Sequence, residues 1–195
     1  MAVIAISGVS GSGKTSVIKQ LSSQLSCPYL LFDDYLDEKT YPNDMKAWFK
    51  EGANESKIKT PRFISDLKQL IQNNVQGPIF IEEPFGRGRN SISPFIDYVI
   101  LLDIPMEVCL SRVIMRNIKH PSNDSLSSIP RYLSMYNDHF REIYIEITDR
   151  VRTNCDLVME EVTSIELMAK LILTYLSNNG QQQILLNVQS KNREI

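Results

Sequence analysis

Gly8-Val9-Ser10-Gly11-Ser12-Gly13-Lys14-Thr15 is the stretch on which the reading of the chain turns. It satisfies G-x-x-x-x-G-K-[ST] at every fixed position, the Walker A spelling of a phosphate-binding loop. The apolar segment Ala2-Val3-Ile4-Ala5-Ile6 precedes it, and Val17, Ile18, Leu21 and Leu25 follow at helical spacing. Strand, glycine loop and helix, in that order, is the setting in which the pattern acts. Glycines let the backbone curl so that successive N–H groups converge on phosphate oxygens. The helix that follows adds the positive end of its dipole. The expected cradle is Gly8, Ser10, Gly11, Ser12, Gly13, Lys14, Thr15 and Ser16. In such a loop the lysine reaches the outer phosphates and the Ser/Thr hydroxyl ligates Mg²⁺, so ATP and Mg²⁺ are the expected cofactors. The plainer alternative, an ordinary glycine-rich turn, does not account for the flanking strand and helix patterns.

Working outward, apolar runs of strand length recur at 2–7, 29–32, 79–81, 98–102 and 156–159, separated by helical patterns. Runs apolar on both faces predict a parallel sheet covered on both sides. Asn43 is a candidate cap for a short helix carrying Met45, Trp48 and Phe49, and Thr60-Pro61 opens another that Gly77-Pro78 stops. Pro105 and Pro130 each begin a helix, the second a long one through Ile147, and Thr163-Ser164-Ile165-Glu166 reads as a capping box. The expected fold is α/β: a three-layer, doubly wound, five-stranded parallel sheet with helices on both faces and a small lid. The domain spans 1–177. The lid, at about 117–130, centres on the polar loop 119–128, which contains Pro121, Asn123 and several serines. Residues 178–195 form a polar tail, in which Ile184-Leu185-Leu186 is a candidate short strand or contact.

A chain of 195 residues with 43% hydrophobic and 23% charged residues is of soluble globular type and long enough for one sizeable core. The net charge of −2 gives no strong pull toward nucleic acid or acidic membranes. No run reaches the apolar length of a membrane span, and Met1-Ala2-Val3 lacks the basic region of a signal peptide. Cys27, Cys109 and Cys155 are scattered and odd in number, as expected of free thiols in a reducing cytoplasm. His120 and His139 have no metal-ligand spacing. The expected partner is a small-molecule substrate, with pairing to a second copy of the chain left open.

In an open parallel sheet ligands bind beyond the carboxyl ends of the strands, and charged residues cluster there. The second run ends in Asp33-Asp34-Tyr35 and the third in Glu82-Glu83-Pro84-Phe85-Gly86-Arg87-Gly88-Arg89. Phosphoryl transfer to an alcohol needs a carboxylate that orients the hydroxyl and takes its proton. Asp33 or Asp34 suits that role, Asp33 ahead; helix or turn capping is the alternative. Glu82 or Glu83 suits the magnesium-bearing end of a Walker-B-like strand, and the pleat aims only one of them at the site; Glu82 is favoured for the metal. The expected substrate contacts are Asp33, Asp34, Tyr35, Glu83, Arg87 and Arg89, guanidinium groups suiting a phosphate or a polyol. Arg112 and Arg116 share a helix face, and Arg131 and Arg141 are further sources of positive charge near the lid.

Taken in order, these stretches resemble the P-loop nucleoside and nucleoside-monophosphate kinases, closest to the uridine kinase-like branch. The loop Gly8 to Thr15 is similar to that branch's G-x-S-G-S-G-K-[ST]. Phe32-Asp33-Asp34-Tyr35-Leu36 resembles the acidic stretch after strand two in uridine and nicotinamide riboside kinases. Leu101-Leu102-Asp103-Ile104-Pro105, followed by Leu110 and Arg112, resembles the family's L-D-x-P-x-x-x-x-L-x-R exit from strand four. Tyr136, Arg141 and Tyr144 fit its Y-x-x-x-x-R helix, and Cys155-Asp156-Leu157-Val158 its fifth strand. The third run departs from the branch, with Glu82-Glu83 where E-G is usual, and segment 37–60 matches no motif of it.

The resemblance implies the P-loop NTPase kinase fold and transfer of the γ-phosphate of ATP to an alcohol, most naturally a nucleoside. Lys14, Asp33, Arg112 and Arg116 are then catalytic, with Asp33 as the base. A sugar acid, a vitamin or an antibiotic is the alternative acceptor. A nucleotide-dependent regulatory ATPase or switch is the competing class, and a degenerate fold kept only for binding other proteins is a third. No N-K-x-D guanine motif and no L-S-G-G-Q transporter motif is present.

Overall fold

Val3, Ile4, Ala5 and Ile6 are all buried, and they alternate between two apolar layers. Ile4 and Ile6 pack with Val17, Ile18 and Leu21 on one side, while Val3 and Ala5 pack with Phe63, Leu67 and Val151 on the other. That alternation, applied to every central strand, produces three layers. The computed structural model describes residues 1–73, 77–119 and 125–179. Its strands are β1 (Val3–Ser7), β2 (Tyr29–Leu30), β3 (Ile79–Glu82), β4 (Tyr98–Leu102) and β5 (Leu157–Met159). They form one parallel sheet in the order β2-β3-β1-β4-β5, with Ile6 beside Glu82 on one flank and Ile100 on the other. The expected doubly wound α/β fold is the observed one.

Helix α1 (Lys14–Leu25) and α7 (Ile165–Asn178) cover one face of the sheet, joined by Cys109 of α4 (Met106–Lys119). The other face is covered by α2 (Met45–Lys50), α3 (Pro61–Gln72) and α6 (Arg141–Arg152). Pro61 stands at the first turn of α3, where its missing N–H costs nothing. Asp44, one residue beyond the expected Asn43, caps α2 by accepting from the Ala47 N–H. Likewise Ser164 rather than Thr163 caps α7, accepting from the Leu167 N–H.

Three segments differ from the sequence reading. β2 is only two residues long, and the expected strand end Phe32–Tyr35 is a 3₁₀ turn. Phe32 leaves the sheet because its ring packs edge-on against Phe63 and Phe85 in the layer beneath. Pro130 does not begin a helix; it lies inside α5 (Ser125–Met135). The polar loop expected over 119–128 is helical at 119 and at 125–128. Residues 120–124 of that lid, and the tail from 180 onward with its candidate strand at 184–186, lie outside the described residues.

Between α5 and α6 the Arg141 N–H donates to the Tyr136 carbonyl, so Tyr136–Phe140 forms a π-turn within one long helical path. Tyr132, Tyr136, Phe140 and Tyr144 make a ladder of rings along that path, with centroids 6.3 Å apart for Tyr132–Tyr136 and 6.0 Å for Phe140–Tyr144. Among the described residues, no helix is long and apolar enough to cross a membrane.

Candidate active site

Gly11 shows why the loop is spelled with glycine. Its φ is +86°, and a Cβ there would lie 2.2 Å from the Cys109 carbonyl oxygen of α4. Gly8, at φ +135°, is pressed likewise against the Leu102 carbonyl at the end of β4, 2.6 Å from where a Cβ would sit. Gly13, in left-handed conformation, hands the chain to α1, whose first residue is Lys14. The loop is thus a backbone cradle wedged between β1, β4 and α4. Arg112 closes it from outside, Nη1 donating to the carbonyls of Gly11 and Ser12 at 3.3 Å each. Arg116, one turn further along α4, is exposed.

Lys14 is buried, and its ammonium donates to the Val9 carbonyl at 3.0 Å and lies 3.5 Å from Glu82 Oε1. The Thr15 hydroxyl donates to Glu82 Oε2 at 3.2 Å. Glu82 ends β3 on the same face as Phe80, which packs toward α1, so the pleat turns it to the loop. Burial pushes the Glu82 carboxyl above the usual carboxylate range, Lys14 opposes that rise and Asp33 adds to it. Ser12 Oγ, buried in the loop, has no hydrogen-bond partner among the described residues. An orphaned hydroxyl, a backbone cradle that no Cβ can enter and a buried ammonium fit a polyphosphate. Among the described residues no group of three or more His, Cys, Asp or Glu side chains could hold a metal. Thr15 with Glu82 is still the donor set magnesium uses, because Mg²⁺ takes one or two carboxylates and completes its shell from phosphates and water.

Beside the loop opens a cavity of about 290 Å³. Its polar end is Gly8, Ser10, Lys14, Asp33 and Glu82. Phe32, Leu101 and Phe85 line it from the sheet side, Tyr41, Met45 and Trp48 from α2 and the segment before it, and Phe140, Ile143, Tyr144, Ile147 and Thr148 from the π-turn and α6. The Trp48 indole N–H donates to the Asn54 carbonyl at 2.9 Å, fixing α2 against the chain that follows. Tyr41 and Tyr144 have phenols pushed up by burial, so both stay protonated and can donate. Tyr41 follows a turn that Thr40 locks, its hydroxyl accepting from the Asp37 N–H at 2.9 Å.

The structure brings together Gly8, Ser10, Lys14, Asp33 and Glu82 around the cavity, with Thr15 behind Glu82. Ser16 is exposed on α1. Five of the expected substrate contacts lie elsewhere. Tyr35 turns outward and its hydroxyl donates to Asp66 at 2.8 Å, under the Arg62 guanidinium. Asp34 is exposed and does not line the cavity. Arg87 is held by Asp156 at 2.8 Å and by the carbonyls of Asn154 and Asp97. Those partners lie just before β5 and β4, at the amino ends of the strands, which takes Arg87 away from the cavity. Arg89 and Glu83 are fully buried and ion-paired to each other. Glu83, one residue past Glu82, faces the opposite layer, where burial raises its carboxyl and Arg89 pulls it down. Arg89 also donates to Thr60 Oγ1 at 2.8 Å and lies 5.1 Å from the Phe32 ring centre. This pair braces the site from below and touches no cavity surface. Arg131 and Arg141 are exposed on α5 and α6.

Sequence reasoning missed Tyr41, Phe85, Tyr144 and Thr148 as cavity residues and took Met45, Trp48 and Phe140 for core. An aromatic stripe at helical spacing reads the same whether it meets a sheet or a ligand, so no local signal separates the two. The unread segment 37–60 was itself the signal, being chain left over beside a complete phosphate site.

No protein-family model matches the chain. It is 26% identical over 184 residues to the probable thymidylate kinase 1 of Saccharolobus solfataricus, spanning 84% of this chain and 96% of that one. Among solved structures it is similar to a shikimate kinase from Aquifex aeolicus, with 19% identity, 92% of this chain, 98% of that one and a TM-score of 0.52. A gluconokinase from Sinorhizobium meliloti gives 15% identity, 95% of this chain, 97% of that one and the same TM-score of 0.52. With its Walker A cradle at the head of a β2-β3-β1-β4-β5 parallel sheet, the chain has the fold of the P-loop kinases.

Proposed function

We propose that the chain is an ATP-dependent kinase that transfers the γ-phosphoryl group of ATP to the hydroxyl of a small alcohol, with a nucleoside as the acceptor. The observation that carries this reading is the convergence of Lys14, Glu82 and Asp33 on one end of a cavity whose other walls are aromatic and apolar. A phosphate site alone suits any NTPase; a carboxylate beside it, facing space for a second molecule, suits group transfer. The Thr15 hydroxyl and Glu82, directly or through water, would hold Mg²⁺, which would offset charge on the polyphosphate. Loop N–H groups and Lys14 hold the phosphates, and Lys14 exchanges its contacts with Val9 and Glu82 for phosphate oxygens. Asp33 orients the acceptor hydroxyl and takes its proton as the new oxygen–phosphorus bond forms and the bond to the leaving ADP breaks. Arg112 positions the loop through its carbonyls, and Arg116 stands within the same helix face for the transferring group.

The test is ADP release across a panel of nucleosides and other alcohols. Acceptor-dependent release is expected from the native chain, and Asp33→Asn is expected to keep ATP affinity while losing roughly 10²-fold or more in turnover, the loss of a general base. If no acceptor raises release above the acceptor-free rate while Lys14→Ala abolishes ATP binding, the kinase reading fails and a nucleotide-dependent regulator takes its place.

A further inference from the structure

The cavity beside the loop carries a charge pattern that says which acceptors it admits. Among the described residues Lys14 is the only cation that lines it, and Lys14 already faces Glu82 and the phosphate cradle. The two other charged groups on its wall, Asp33 and Glu82, are carboxylates. Two guanidinium groups that the sequence offered as ligand contacts are occupied elsewhere. Arg89 lies behind the Phe32 ring with its charge met by Glu83, and Arg87 is tied to Asp156. Lys46, next to Met45 of the cavity wall, is paired with Asp138 at 2.7 Å. Exposed Arg116, Arg131 and Arg141 do not line it. The remaining surface offers ring faces from Tyr41, Trp48, Phe140 and Tyr144. At about 290 Å³ the cavity sits at the low end of small-molecule sites, which run from roughly 300 to 1,000 Å³.

We propose that this cavity selects an acceptor without negative charge, an alcohol that also bears a flat unsaturated ring, and rejects the phosphorylated or carboxylated counterpart. The inference rests on the kinase reading for the cavity being the acceptor site. Aromatic walls stack on a planar ring and tolerate a neutral or positive one. A phosphate or carboxylate brought inside meets Asp33 and Glu82 with no cation on the described wall other than Lys14, and like-charge juxtaposition is a strong means of exclusion.

The chain contains a single tryptophan, and Trp48 is on the cavity wall. Its fluorescence therefore reads occupancy without turnover. Matched pairs are titrated with saturating ADP, which fills the phosphate loop and has no group to transfer: thymidine against thymidylate, uridine against uridylate, and an uncharged benzylic alcohol against its carboxylate. A thymidine bearing a neutral 5′ substituent of phosphate-like bulk controls for size. The expected result is a saturable change with the uncharged members and at least about 100-fold weaker binding of the anions. The neutral bulky analogue should fall near thymidine. Asp33→Asn, which removes one negative charge and leaves the shape, should narrow the gap about tenfold, a change that exclusion by size alone would not give. The proposal is overturned if the anionic members bind as well as or better than the uncharged ones, or if no uncharged member perturbs Trp48. Neither result touches the kinase reading, which stands or falls on acceptor-dependent ADP release.

Discussion

Glu83→Gln offers the sharpest test of how the site is braced. Arg89 and Glu83 are both without solvent exposure. The Arg89 Nε lies 3.1 and 3.2 Å from the two Glu83 oxygens, Nη2 joins them, and Nη1 donates to Thr60 at 2.8 Å. The Phe85 N–H adds a bond to Glu83 Oε1 at 3.3 Å. Glutamine keeps the volume and removes the counter-charge, stranding a guanidinium in the interior. Breaking one side of a buried pair costs about 3–5 kcal/mol. For a chain of this size each kcal/mol shifts Tm by roughly 2–4 °C, so a fall of about 6–20 °C is expected.

Replacing both residues together, Glu83→Met with Arg89→Met, removes both charges and fills the space. It should cost far less, about 1–2 kcal/mol, chiefly for the lost Thr60 and Phe85 bonds. Urea unfolding followed by circular dichroism, with thermal melts alongside, measures both variants against the native chain. A single variant within about 0.5 kcal/mol of the native chain, or a double variant as damaged as the single, would refute the reasoning. Because Arg89 packs on Phe32 and Phe32 precedes Asp33, the single variant should also lose acceptor-dependent turnover at temperatures where it remains folded.

Gly11→Ala should lower Tm and nucleotide affinity together, since the added Cβ meets the Cys109 carbonyl at 2.2 Å and the φ of +86° is itself strained for alanine; an unchanged ATP titration would count against the wedged-cradle geometry. Thr15→Ala should raise the magnesium concentration needed for half-maximal activity, and an unshifted magnesium titration would remove Thr15 from the metal's donors. Burial pushes the Cys27 thiol up to about 11. At pH 8 it should therefore carry roughly a hundredfold less thiolate than an exposed cysteine and alkylate correspondingly slowly. Mass spectrometry of iodoacetamide-treated protein checks this, and labelling of Cys27 at the rate of a small free thiol would contradict the burial.

What the sequence made legible is what depends on neighbours along the chain. The Walker A loop, the strand that feeds it and the helix that leaves it are local, and the structure shows them where the spelling puts them. Phe32 illustrates the opposite case. It continues an apolar run and reads as strand, yet edge-on packing against Phe63 and Phe85 pulls it into a 3₁₀ turn. The choice between Glu82 and Glu83 was open in the sequence because one residue of register reverses every side chain. Pairing of Ile6 with Glu82 decides it. Arg87 and Arg89 read as ligand groups on a glycine-spaced loop; their true partners, Asp156 and Glu83, are set by the tertiary fold. The cavity wall was illegible for the same reason, since Tyr41, Trp48 and Tyr144 come from segments that only the fold makes neighbours.

The π-turn at Tyr136–Phe140 bears on how such a wall arises. Four residues of regular α-helix overshoot a full turn by about 40°, so rings spaced four apart drift steadily around the axis. A wider turn falls short of that and returns the drift, which keeps Tyr132, Tyr136, Phe140 and Tyr144 in contact along one side. In lineage terms a π-turn is one residue inserted into a helix without breaking it. Everything after the insertion is rotated by about 100° relative to everything before. Ile143, Tyr144, Ile147 and Thr148, all of which line the cavity, follow that turn in the chain. Removing one position there would turn a different face of the same helix toward the cavity, so the wall of such a cavity can change by the length of a helix as well as by the letters along it.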